Sequence, residues 1–256
     1  MYKMIIMAKN ININDPLEQF EIVRLTWQSF VCSHIITNFS IILALNTFII
    51  SVFFSFFFKE NAYNIWLYIF KNIYEIVKSI IKNNTTLARY QYFSILFYLF
   101  TFILISNLAG LIPYSFTLTS SFIVTFFLAS THFIGINLIG VFQQKWKILN
   151  LFLPSGVPLV MAPFLILLEL ISYIARVFSL SISLFANMMS GHALLKILIG
   201  FAWILLNTGT VFIFLAPFPW IIVTIILFLE TLIAFLQAYV FVILITIYIN
   251  DVLNLH

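Results

Sequence analysis

Glu169, Arg176, His192, Glu230, Gln237 and Tyr248 lie in stretches of sequence that are otherwise almost wholly apolar. From Glu169 the polar residues Ser172, Arg176, Ser179, Ser183, Asn187 and Ser190 follow at spacings of 3, 4, 3, 4, 4 and 3, which puts all seven on one helix face. His192 lies about 140° round from Glu169 and opens a second polar direction. Further on, Glu230, Ala234 and Gln237 fall at i, i+4 and i+7 of another helix. An ionisable residue within a membrane span costs about 2.5 to 3.5 kcal/mol to insert, so these groups must face protein or water. Small hydroxylated residues also let helices approach closely and hydrogen-bond, so an interhelical seam is the competing reading. Serine and alanine fit a seam, but two carboxylates, a guanidinium and an imidazole fit it poorly. Together they are the groups a proton relay needs. The sequence has no nucleotide-binding loop, catalytic triad or metal-ligand spacing, and no soluble domain large enough for covalent chemistry. A catalytic role, a cofactor, a metal and a nucleic-acid partner are therefore not expected.

The elements that position these groups follow from composition. The chain has 256 residues, 63% hydrophobic and 8% charged, against about 25% charged in soluble domains. Uncharged runs recur at 25–58, 90–144, 148–168, 197–229 and 231–250, and about 20 apolar residues suffice for a helical span. Barrel strands would alternate apolar and polar residues, whereas these runs are apolar on nearly every face, so the expected class is an all-α membrane protein. A single cysteine, Cys32, excludes an intrachain disulfide. The abundance of Phe, Ile, Leu and Asn suits an AT-rich organellar gene. The opening MYKMIIMAKNININD has neither a signal-peptide nor a transit-peptide pattern.

Residues 1–34 read as a polar leader and 35–256 as one membrane domain, beginning with a span at 35–58. In 60–82, Lys71, Glu75, Lys78 and Lys82 share one helix face while Ile65, Ile69, Ile73, Ile76 and Ile80 take the other, the pattern of an amphipathic helix lying at the membrane surface. A hairpin of two spans is expected over 91–142, with Pro113 ending its first limb. The segments 59–89 and 143–157 are net positive, while the hairpin tip and the turn at 207–220 carry no charge. The positive-inside rule then places the surface helix, Asp251 and the C-terminus on the matrix or cytoplasmic side and the N-terminus outside. Two long helices are expected at 158–207 and 219–253. A 45-residue helix is about 68 Å long, twice the hydrocarbon core, so it must tilt, kink or project.

LLELISYIARVFSLSISLFANMMSGHALLKILIGF (167–201), with GLIPYSFTLTS (110–120), PSGVPLVMAPF (154–164) and LQAYVFVILITIYINDVLNLH (236–256), resembles subunit a of the rotary F-type ATP synthase, most of all the mitochondrial form of plants and protists. The resemblance implies a stator subunit whose two tilted helices cup a ring of c subunits, alongside peripheral-stalk and other membrane subunits, in the mitochondrial inner membrane. Protons would enter one half-channel from the intermembrane side, ride the ring and leave through a second to the matrix. By resemblance His192 and Glu230 belong to the inlet, and Glu169 to the outlet. Arg176, Ser183, Asn187 and Gln237 belong to the ring-facing region that separates the half-channels, and Tyr248 aligns with a tyrosine of the last helix. The alternative function is a self-contained ion channel or secondary transporter, for which internal repeats would be expected; the two halves show no convincing repeat.

One departure stands out. The family's pattern places an essential arginine where this sequence has Ser183. Arg176 is seven residues, about 10 Å, away along the helix. At an effective dielectric of 20, an arginine about 4 Å from a ring carboxylate is worth about 4 kcal/mol and one about 14 Å away about 1.2. Three explanations account for the serine. The codon is read under the wrong organellar code, AGA and AGG changing meaning between such codes, and the working protein carries arginine. Alternatively the subunit uses Arg176 through shifted packing, or it does not translocate protons in the usual way.

Overall fold

A computed structural model describes residues 20, 37–57, 65–84, 91–112, 117–145, 161–207 and 217–253. Among these the chain forms six α-helices: α1 (Asn38–Phe57), α2 (Ile65–Asn84), α3 (Phe93–Gly110), α4 (Phe122–Gln144), α5 (Ala162–Asn207) and α6 (Pro217–Leu253). A 3-10 turn, Leu118–Ser120, precedes α4. Helices α3 to α6 are long and apolar enough to cross a membrane; α1 contributes a shorter apolar stretch, Phe39–Val52. The leader 1–34, apart from Phe20, lies outside the described residues, as do Pro113, most of the 143–157 loop, the opening of PSGVPLVMAPF and the turn between α5 and α6.

Helix bounds follow local chemistry. Pro163 and Pro217 sit in the first turns of α5 and α6, where a missing N–H removes no helical hydrogen bond. α5 runs unbroken for 46 residues, about 69 Å. On α2 the charged face stays outward, with Lys71, Glu75, Lys78 and Lys82 exposed. Its buried seam is Phe70, Ile73, Val77, Ile80 and Ile81. The seam is thus rotated from the isoleucine face expected from the sequence, and Ile69 is left exposed. The buried side of α2 is the one that meets α1, α3 and α6, which isoleucine spacing alone does not report.

The two limbs of the expected hairpin do not pack mainly on each other, because α6 lies between them and contacts α2, α3, α4 and α5. Its sequence permits this. Ala234, Ala238, Val242, Ile245, Ile249 and Val252 are buried at spacings of 4, 4, 3, 4 and 3, a stripe of small and β-branched residues that lets neighbouring helices close in. Phe100 of α3 meets Phe235 edge-on, and His132 of α4 meets Phe241. Helix α5 packs antiparallel to α4 through Phe122–Phe185, Phe126–Phe178 and Phe133–Tyr173. Many large apolar side chains stay exposed along α5 and α6, including Ile182, Ile197, Ile225 and Phe228, a surface that suits lipid or a partner protein and not water.

Candidate functional site

The ionisable residues gather at two levels of the α5–α6 pair. At one level Glu230 of α6 is 5% exposed and its carboxylate lies against Gly191 of α5; a Cβ at 191 would collide with it. Next to Gly191, the His192 ring points at the end of α3, where a Cβ on Gly110 would stand 3.7 Å from Nε2 and 2.5 Å from the Thr117 methyl. Gly191 thus lets the Glu230 carboxylate nest against helix backbone, while Gly110 leaves room for the Thr117 methyl beside the imidazole. The Phe20 ring meets His192 edge-on, with centroids 6.2 Å apart.

Around this nest is a set of buried polar atoms without hydrogen-bond partners among the described residues: both oxygens of Glu230, His192 Nε2, Ser106 Oγ, both amide atoms of Asn107, Thr117 Oγ1 and Thr119 Oγ1. Buried polar groups are nearly always paired, because each orphan costs about 1 to 3 kcal/mol. So many unpaired polar atoms at one place suit bound water. Ser106 and Asn107 sit one turn before Gly110 on α3, and the 3-10 turn carries Thr119. That turn is held by the Ser120 hydroxyl, which donates to the Thr117 carbonyl at 2.7 Å. The structure brings His192 and Glu230, both expected from the sequence, to one place, together with Ser106, Asn107, Thr117 and Thr119, which sequence reasoning did not single out. The available signal was the polar pair Ser106–Asn107 inside an apolar span.

Near the other end, Arg176 pairs with Glu169 at 3.5 Å. Its guanidinium lies 5.2 Å from the Tyr248 ring of α6 and 6.0 Å from the Tyr173 ring, each contact worth about 0.5 to 1 kcal/mol. The Tyr173 hydroxyl donates to Asn137 of α4, and Asp251 is within electrostatic range of both Arg176 and Glu169. Arg176, expected on the ring-facing stripe, is turned sideways toward α4 and α6. Its long side chain reaches a crevice that the short serines on the same helix face cannot.

Between the two levels the inner face is mostly apolar, and the hydroxyl of buried Thr246 of α6 donates to the Ile243 carbonyl. Leu180, Leu184 and Met188 of α5 are buried, as are Ala234, Ala238 and Phe241 of α6. Buried Ser181 spends its hydroxyl on the Phe178 carbonyl. Glu169 and His192 are 23 residues apart, about 34 Å along the axis. The polar residues at intermediate height lie outward: Ser172, Ser179, Ser183 and Ser190 are exposed, and Asn187 is partly buried. Midway, the Gln237 side-chain amide donates to Ser183 Oγ at 3.0 Å, and the Ser183 hydroxyl donates to the Leu180 carbonyl.

Fold and site together define an all-helical, multi-pass membrane protein with two separate polar clusters on a long helix pair. Residues 37–250 match the family model described as ATP synthase A chain. The chain is 45% identical to ATP synthase subunit a of Chondrus crispus over 247 residues, 95% of this chain and 98% of that one. It is 42% identical to subunit a of Marchantia polymorpha over 253 residues and of Acanthamoeba castellanii over 250, covering 94% of this chain and 98% of each relative. The chain belongs to the ATP synthase subunit a family, and is a membrane subunit of the F-type ATP synthase of mitochondria.

Proposed function

We propose that this subunit supplies two proton half-channels that meet only through a rotating ring of c subunits, and so couples proton flow to ATP synthesis. The observation that carries this reading is the apolar seam of Leu180, Leu184, Met188, Ala238 and Phe241 between the two polar clusters. Among the described residues these five apolar side chains give a proton no group to step onto, which supports a path that leaves the chain at this height. Among the described residues, an outward line of Ser179, Ser183 and Ser190 with Gln237 runs between the clusters on a face open to a partner.

The His192–Glu230 cluster serves as the inlet. Its orphaned polar atoms hold water that feeds protons to Glu230, which passes them to a ring carboxylate at the outer face. The Glu169–Arg176–Tyr248 cluster serves as the outlet. The positive-inside rule assigns the outlet to the matrix side and the N-terminus to the intermembrane side. The long helices tilt to cup the ring, and the exposed apolar surfaces elsewhere meet lipid, the peripheral stalk and other membrane subunits. A self-contained channel would need a continuous polar path within the chain, which the seam interrupts.

Ser183 stands at the crossing where the family's pattern has arginine. With Arg176 engaged by Glu169 and Tyr248, substitution by Arg176 is disfavoured, and a codon read as serine in place of arginine is the better account. An arginine at 183 would start from the exposed face beside Gln237, directed at the ring.

Glu230→Gln in the assembled complex tests the inlet. ATP synthesis driven by an imposed proton gradient is expected to fall at least about tenfold with assembly intact. An unchanged rate would remove Glu230 from the path.

A further inference from the structure

We propose that Arg176 is a positioning residue: it holds the Glu169 carboxylate at the outlet, while the Tyr248 ring fixes the guanidinium from the neighbouring helix. This rests on the half-channel reading above and assigns Arg176 a place within it that differs from the ring-facing role.

Three independent contacts converge on this one side chain. The ion pair to Glu169 spans two turns of α5. The Tyr248 contact crosses from α5 to α6. The Tyr173 contact leads to α4, because the Tyr173 hydroxyl is bonded to Asn137. The guanidinium is therefore the junction of three helices at the level where Glu169 must work. An arginine can do this because its plane stacks on a ring while its edge N–H groups reach a carboxylate; an ammonium offers only a point charge. The junction also explains the direction of the side chain. Arg176 shares a helix face with Ser179 and Ser183, which are exposed, yet it lines the crevice formed with Val177, Leu180, Ile245 and Tyr248. Without Arg176, Glu169 would face Asp251 without its paired guanidinium, and two carboxylates would repel each other out of the geometry that passes protons on.

The test uses the assembled complex in vesicles with the pH set separately on the two sides. Arg176→Gln is expected to lower the maximal rate of ATP synthesis about fivefold or more. The inlet-side proton concentration giving half-maximal rate should stay within about twofold. Arg176→Lys should recover part of the loss. Glu169→Gln should lower the rate by a similar factor, and adding Arg176→Gln to it should cost nothing further. Tyr248→Leu, which leaves every charge in place, is expected to reduce the rate about twofold to threefold, and it decides the matter if Arg176→Gln does not assemble. Multiplicative losses in the double variant, no loss in Arg176→Gln, or full activity in Tyr248→Leu would overturn the proposal. If Glu230→Gln and Glu169→Gln both leave synthesis unchanged, the half-channel reading itself fails. If they slow it and Arg176→Gln does not, only this inference fails.

Discussion

The Gln237 amide donates to Ser183 Oγ at 3.0 Å, joining the two long helices on their outer face midway between the polar clusters. At this height polar groups of both helices meet on the side open to a partner. A cation on this face would separate an inlet from an outlet; a serine paired to an amide offers hydrogen bonds and no charge. The peptide spanning residue 183, taken from the working complex, is therefore expected to carry arginine. Its mass spectrum and a new tryptic cut after 183 would show this. Serine at 183 in an active complex would contradict it and leave proton leak to be blocked by packing alone.

The orphaned polar atoms near Gly110 lead to an unusual stability expectation. Thr119→Val removes a buried hydroxyl without a partner and keeps the shape, so thermal stability should be unchanged or slightly raised, by up to about 1 kcal/mol. If the hydroxyl holds water on the inlet path, proton-driven synthesis should fall severalfold in the same variant. Lower stability together with unchanged synthesis would make Thr119 an ordinary structural residue.

Gly191 leaves room for Glu230. A Cβ there collides with the carboxylate, so Gly191→Ala is expected to cost about 1 to 3 kcal/mol of stability from overpacking and to slow synthesis about as much as Glu230→Gln does. Shortening the acid relieves the collision, and Gly191→Ala with Glu230→Asp should synthesise ATP faster than Gly191→Ala alone. Equal rates in the single and double variants would argue against the contact.

Much of this arrangement was legible in the sequence because the long apolar runs and the 3.6-residue period constrain helices strongly. The span ends, the surface lysines of α2 and the pairing of His192 with Glu230 in one region all follow from residue spacing or resemblance. Three features were not legible. The place of α6 between α3 and α4 depends on Ala234 and Ala238 meeting complementary grooves, which periodicity does not report. The polar pocket of Asn107, Thr117 and Thr119 joins residues from two elements across the hairpin tip, and each is unremarkable in its own segment. The direction of Arg176 depends on side-chain reach: the helical wheel places it with Ser183, while its length carries it to Tyr248.

The account rests on the apolar seam that parts the two polar clusters among the described residues. A cysteine at Ser179, cross-linked to a cysteine on the facing ring subunit of the assembled complex, would lock the ring; proton flux into vesicles under an imposed potential then reads the chain alone. With the ring locked, flux is predicted to fall to that of protein-free vesicles and to return when the cross-link is reduced. Flux that persists with the ring locked would show a path through the Leu180–Leu184–Met188 seam and contradict the account.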